Sequence, residues 1–318
     1  MASTCGICNR EIKHEFLKNV EMGGKIYDIY QCRECMVGFT VPAPSPEELS
    51  ELYHSGNYRL STGKRFNPYV ESLIYGFRLL RKRRIRKYIK KGRILDIGYG
   101  RGLFLNIMKK GGWEVTGVEF SKETASYASD LYSIKVITET SIHELPDESF
   151  DVITMNHVLE HSRKPSELIS ECRRLLRKGG LVVVAVPNTS SLQASAGKGV
   201  WFHLDLPFHF NHFSEEGLIR LLNKNPFDIL KIKQFDMEYN PFGWIQTLLN
   251  LSSIRKNLLY DLLKSGELRK GTLNALKRDV ILTFVLLPLY FPLSFILSVF
   301  ESLILKRGGT IEVYAVKR

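Results

Sequence analysis

The sequence predicts an α/β chain: a doubly wound, mostly parallel sheet of seven strands, with a small cysteine-bearing module before it and a hydrophobic helical insertion before its last strand. Three observations predict this. From Arg93 onward short apolar runs alternate with helical stretches, two Cys-x-x-Cys pairs lie near the amino terminus, and an uncharged run extends from Val280 to Phe300. Alternation of that kind builds βαβ units, which assemble into a parallel sheet.

The strands are expected near 94–97, 114–118, 135–137, 152–155, 181–186, 228–233 and 310–316. Helices are expected near 102–110, 122–131, 165–177 and 215–222. The chain divides into residues 1–45, a ribbon; 46–92, a helical linker or cap; 93–235, the core, completed by a final strand in 309–318; and 236–308, a hydrophobic, membrane-associating insertion. Three prolines within Val41 to Pro46 end the ribbon, because each removes a donor and fixes φ. A helix can then start at Ser45 and a second run from about Asn67 to Lys91.

At 318 residues, 44% hydrophobic and 25% charged, the chain has the composition of an ordinary globular protein, which excludes disorder as the default. Its formal net charge of +12 favours an anionic partner. Ten of the basic residues lie between Arg78 and Arg93. Leu79, Leu80, Ile85 and Ile89 interleave with them at roughly helical spacing, so the segment reads as a solvated helix face oriented to acidic lipid, and nucleic acid is disfavoured. Met1-Ala2-Ser3-Thr4-Cys5 has no basic patch followed by an apolar run, and a cytoplasmic setting is expected.

Cys5, Cys8, Cys32 and Cys35 have the spacing of a tetrahedral four-thiolate zinc site. Such a site is closed, so its expected role is structural. Cys172 falls among Leu168, Leu175 and Leu176 and reads as a small core residue.

The run Asp96-Ile97-Gly98-Tyr99-Gly100-Arg101-Gly102 is a buried strand end, a glycine turn and a helix start. Glycines allow positive φ and close approach of a ligand to the backbone. Asp96 stands two positions before the first glycine, where a carboxylate would repel a pyrophosphate. A ligand without phosphates and with a cationic amino acid end suits it better, and S-adenosylmethionine is such a molecule. Glu119, nineteen positions after Gly100 and at the tip of the next strand, has the spacing of an acid that accepts bonds from ribose hydroxyls.

On these residues the chain resembles class I S-adenosylmethionine-dependent methyltransferases of the ubiquinone-biosynthesis-like type, which share a Rossmann-like sheet. Leu145-Pro146-Asp147-Glu148-Ser149-Phe150-Asp151-Val152-Ile153, Asn156-His157-Val158-Leu159-Glu160-His161, and Leu175 to Leu181 followed by Val186-Pro187-Asn188 match further blocks of that family. The resemblance implies cofactor contacts from Asp96, Gly98, Tyr99, Gly100, Gly102, Glu119, Phe120, Ser141, Ile142 and Asn156. Ser141 stands where relatives often carry an acid toward the adenine amino group.

The Glu160-His161 pair also resembles one in sugar methyltransferases that carry an N-terminal zinc region. It implies His161 as proton acceptor, Glu160 as its companion, and Tyr53 and Tyr58 folding over the site, with Tyr58 the catalytic candidate. His203, His209, His212 and Asp205 occupy the loop after the fifth strand; their spacing matches no metal site, and aromatic packing with Ser214 as helix N-cap accounts for them.

The expected function is methyl transfer to a glycan, a lipid-linked glycan precursor or a similar acceptor at a membrane surface. A quinone-type lipid is the second acceptor class. The rival classes are an NAD-dependent oxidoreductase and a non-catalytic RNA-binding zinc-ribbon module. Val280 to Phe300 is long enough to span a bilayer, but Pro288 and Pro292 divide it, and the final strand must return to the core. A re-entrant or in-plane anchor at the cytoplasmic face is therefore expected, held by Lys277, Arg278, Lys306 and Arg307, with a homodimer contact as the other use of the segment.

Overall fold

The structure is a computed structural model of the chain, and it describes residues 3–8, 10–12, 14–22, 24–45, 48, 66–119, 126, 129–137, 139–264 and 276–318. At the amino end β1 (Ser3–Thr4) pairs with β2 (Glu11–Ile12), and β3 (His14–Met22), β4 (Lys25–Gln31) and β5 (Val37–Val41) form an antiparallel meander. Helix α1 (Pro68–Ile85) follows. Asn67 caps it, its side chain accepting the amide N–H groups of Tyr69 and Val70 at 3.1 Å.

The core then runs β6 (Arg93–Ile97), α2 (Leu103–Lys110), β7 (Glu114–Val118), β8 (Lys135–Ile137), β9 (Phe150–Asn156), α3 (Pro165–Leu175), β10 (Leu176–Pro187), α4 (Leu192–Gly197), β11 (Asn211–Phe213), α5 (Glu215–Lys224) and β12 (Phe227–Lys233). The insertion supplies α6 (Asn240–Leu251), α7 (Leu258–Leu263) and α8 (Lys277–Val299), and β13 (Thr310–Lys317) closes the chain. All seven expected strands form one sheet in the order β12-β13-β10-β9-β6-β7-β8, parallel except that β13 runs antiparallel to both its neighbours. Leu181 to Val186 is buried throughout, as a strand covered on both faces requires. The expected helix near 122–131 falls largely outside the described residues.

Three features add to the expectations or depart from them. The ribbon is joined to the core. Its strand β5 pairs antiparallel with β11, in the loop that follows the fifth core strand, and Cys5, Ile7, Cys32, Cys35 and Val37 share one hydrophobic cluster with Phe213, Leu218 and Leu222.

Helix α1 turns Arg78, Arg81 and Arg84 inward, while Arg83 stays on the solvated face. Arg78 makes a two-bond pair with Glu238, buried Arg81 lies 5.4 Å from the Phe104 ring, and Arg84 meets Glu312 and the Tyr314 hydroxyl at 3.1 Å, while Leu73, Leu79 and Leu80 are exposed. The wall this helix meets is acidic, so charge pairing overrides the apolar periodicity.

The insertion helix is continuous. Pro288 and Pro292 sit inside α8, which extends through a π-turn to Ile304. Each proline forfeits one helix bond without splitting the helix, so the expected division of the run into two halves does not occur, and Lys277 to Ile304 forms one helix long and apolar enough to cross a membrane. Helix α8 lies along the body and is tied to it at four levels: Asp279 accepts the Arg255 N–H at 2.9 Å, the Tyr290 and Ser252 hydroxyls meet at 2.7 Å, Phe295 packs edge-on to Phe235, and Glu301 is buried against α4. Its other face exposes Phe284, Val285, Leu289, Phe291 and Ile296.

Candidate active site

The carboxyl ends of β6, β7 and β9 form a cradle. Gly98, Gly100 and Gly102 have φ of 69°, 56° and 75°, so the turn between β6 and α2 is left-handed three times, which favours glycine at each. A Cβ on Gly98 would lie 2.3 Å from the Val158 side chain, whereas one on Gly100 would project into open space. Gly117 serves a neighbouring need: the Tyr99 ring lies where its Cβ would be, at 2.3 Å.

Asp96 is buried and sits directly opposite Thr154 in the β6–β9 register, accepting that hydroxyl's proton. Burial pushes its carboxyl up to about 6, while the Thr154 hydroxyl, Arg81 and Arg78 favour the ionised form. Glu119 accepts the Gly100 N–H at 2.9 Å. Asn156, the last residue of β9, has both side-chain amide atoms buried and without a hydrogen-bond partner among the described residues. Ser141 and buried Ile142 lie on the 3₁₀ turn Glu139–Glu144. Phe120, Tyr53 and Tyr58 fall outside the described residues.

The second half of the site is a histidine cluster on the loops after β9 and β10. His161 Nδ1 lies 2.9 Å from the Phe208 carbonyl, which only accepts, so Nδ1 carries a proton. Glu160 is fully buried, and among the described residues neither carboxylate oxygen has a hydrogen bond; ring nitrogens of His157 and His209 lie 3.3 Å and 4.0 Å away. The candidate ligand atoms of Glu160, His161 and His209 all lie within 4.8 Å of one another. His157 has a φ of 54° and packs its ring 4.1 Å from the Tyr239 ring, with His203 behind it. Burial lowers His203 and His212 to about 3 and His209 well below its ordinary value, so these rings are neutral. Ser214 caps α5 as expected, accepting the Gly217 N–H at 3.0 Å.

The arrangement therefore pairs a cradle bearing Asp96 and Glu119 with a buried carboxylate and neutral imidazoles. A methyltransferase domain family matches residues 69–232, from the first turns of α1 to the end of β12. The chain belongs to this methyltransferase family. An uncharacterized protein of Methanocaldococcus jannaschii is 37% identical over 112 residues, 34% of this chain and 50% of that protein. The ubiquinone biosynthesis O-methyltransferase of Alkalilimnicola ehrlichii is 35% identical over 104 residues, 30% of this chain and 42% of that enzyme. The matches thus span half or less of these relatives' own length. Among solved structures, the cyclase SpnF superposes with a TM-score of 0.52 at 15% identity, covering 86% of this chain and 97% of that one, which shows a shared fold.

The four cysteines meet as their spacing requires. Cys5 and Cys35 sulfurs are 3.4 Å apart, Cys8 and Cys32 sulfurs 3.5 Å, and all four lie within 4.8 Å of one another. A tetrahedral zinc with Zn–S of about 2.3 Å needs sulfur separations of about 3.8 Å, and this cluster fits it. Sequence reasoning missed Thr154, Arg78, Arg81 and Tyr239. Thr154 had a signal, a lone polar residue within the apolar run of β9; the others are brought in by tertiary contact alone.

Proposed function

We propose that this chain transfers the methyl group of S-adenosylmethionine to a hydroxyl of a glycan, a lipid-linked glycan precursor or a similar acceptor at the cytoplasmic face of a membrane. What supports the cofactor most is the pair of carboxylates, Asp96 and Glu119, at adjacent strand tips around an open left-handed glycine turn. They suit a ribose and an ammonium group and oppose a pyrophosphate, which sets the reading apart from an NAD-dependent oxidoreductase. Bound there, S-adenosylmethionine supplies an electrophilic methyl group, so the protein's task is alignment and proton removal.

Glu119 orients a ribose, Asp96 receives the cationic end, and Asn156 satisfies its amide on the same ligand. His161 Nε2 takes the acceptor's proton, with Glu160 stabilising the imidazolium that forms and Tyr58 completing the acceptor side. The four cysteines hold a structural zinc. Nucleic acid is not the expected partner, because three of the basic side chains that would meet it are used inside the fold.

The exposed apolar face of α8, with Lys277, Arg278, Lys306 and Arg307 at its two ends, supports membrane contact in the plane of the surface. A second acceptor class, a quinone-type lipid, is favoured by the similarity to ubiquinone biosynthesis O-methyltransferases. Incubation with methyl-labelled S-adenosylmethionine and two substrate sets, polyprenyl-linked glycans and hydroxylated quinone precursors, tests the proposal. Label in the glycan fraction supports it, label only in the quinone fraction selects the second class, and none in either overturns both.

A further inference from the structure

The ribbon and the histidine cluster meet at one side chain. Strand β5 pairs with β11 through Phe39 and Asn211, Gly38 and His212, and Val37 and Phe213. Beyond the Phe39–Asn211 pair the Thr40 N–H donates to the Phe210 carbonyl at 3.1 Å, and Phe210 N–H donates to the Glu160 carbonyl at 2.9 Å. The ribbon is thus two hydrogen bonds from the backbone of Glu160.

The Thr40 hydroxyl is buried and touches two groups. It lies 2.6 Å from the His209 carbonyl oxygen and 2.8 Å from His212 Nε2. A carbonyl can only accept, so the single hydroxyl proton goes to His209. The hydroxyl oxygen must then accept from His212, which places the ring proton on Nε2. Burial keeps that ring uncharged, so one tautomer is selected. The same threonine holds the backbone of His209, whose ring stands edge-on to His161 at 4.7 Å and whose Nε2 faces Glu160 at 4.0 Å and Asp205 at 3.9 Å.

We propose that Thr40 is a positioning residue for the acceptor-side histidines: its hydroxyl fixes His212 as the Nε2–H tautomer and holds His209 against the Glu160–His161 pair, so that the ribbon builds one wall of the acceptor site. This rests on the reading of Glu160 and His161 as the proton-handling pair. The ribbon's backbone and threonine hydrogen bonds reach the acceptor half, whereas the cofactor half is built from β6, β7 and β9, none of which pairs with it.

The test uses the full chain with nitrogen-15-labelled histidine, comparing the parent with Thr40→Val, which keeps the shape and loses the hydroxyl, and Thr40→Ser, which keeps the hydroxyl. Imidazole spectra of the parent and Thr40→Ser are expected to show His212 protonated at Nε2. In Thr40→Val that signature is lost, the His161 titration shifts, and amide exchange over residues 205–213 rises at least tenfold, while S-adenosylmethionine affinity by calorimetry stays within twofold. A parent His212 protonated at Nδ1 overturns the proposal even if Thr40→Val fails to fold. So does a folded Thr40→Val with the parent's His161 titration and exchange. A parent that shows the Nε2–H tautomer yet binds no S-adenosylmethionine bears out the lock and contradicts the functional reading instead.

Discussion

Glu119 Oε2 accepts the amide N–H of Gly100 at 2.9 Å, so the tip of β7 and the centre of the glycine turn hold each other in place. The acid expected to bind the ribose is thereby oriented by the loop expected to admit the rest of the cofactor.

Changing either residue is expected to weaken S-adenosylmethionine binding at least tenfold while the fold survives. Gly100→Val puts a branched side chain into the open cradle and forces a left-handed φ, at a cost of about 1–2 kcal/mol. Glu119→Ala leaves the ribose hydroxyls without an acceptor. Calorimetry on both variants checks this, with circular dichroism confirming the fold.

The buried Asp96 makes binding depend on pH. Its carboxyl is raised to about 6, chiefly by burial. In the unfolded chain it would ionise near 4. The folded, unliganded state therefore retains a proton that the unfolded state releases, so stability falls as pH rises between those values and levels off above about 6. Binding of a cation runs the other way and tightens as pH rises through about 6. Asp96→Asn is expected to flatten both profiles, read by thermal melts and calorimetry from pH 5 to 8.

One zinc per chain is expected by elemental analysis of protein prepared without chelator. Cys32→Ser should lose it and loosen the ribbon together with β11, because the two share a sheet. Protein that contains no zinc would end the claim.

For α8, replacing Phe284, Phe291 and Ile296 with serine leaves the buried face of the helix untouched. The parent is expected to float with anionic vesicles, and the triple variant to remain in solution with unchanged cofactor affinity. A parent that stays soluble as a dimer without detergent would assign the exposed face to a second copy instead.

The core strands were legible because each is a short apolar run with turn signals on both sides, and the cofactor loop because glycine and acid spacing is a local property. The inward arginines of α1 were not legible, since their partners Glu238 and Glu312 lie far away in sequence. Nor was the β5–β11 pairing: Asn211-His212-Phe213 carries no strand pattern of its own and extends only because the ribbon offers an edge. The helix through Pro288 and Pro292 shows local breaker rules yielding to a long apolar segment packed along α6 and α7.

His161→Ala is expected to cut turnover at least tenfold and leave cofactor affinity within twofold, because the imidazole acts on the acceptor side. A variant as active as the parent would reduce His161 to a packing role.

Calorimetric titration of the full-length protein with S-adenosylmethionine and, separately, with NAD is the most direct measurement. One S-adenosylmethionine bound per chain, lost in Gly100→Val, with no heat from NAD, is the expected result. Saturable NAD binding with none for S-adenosylmethionine would contradict it.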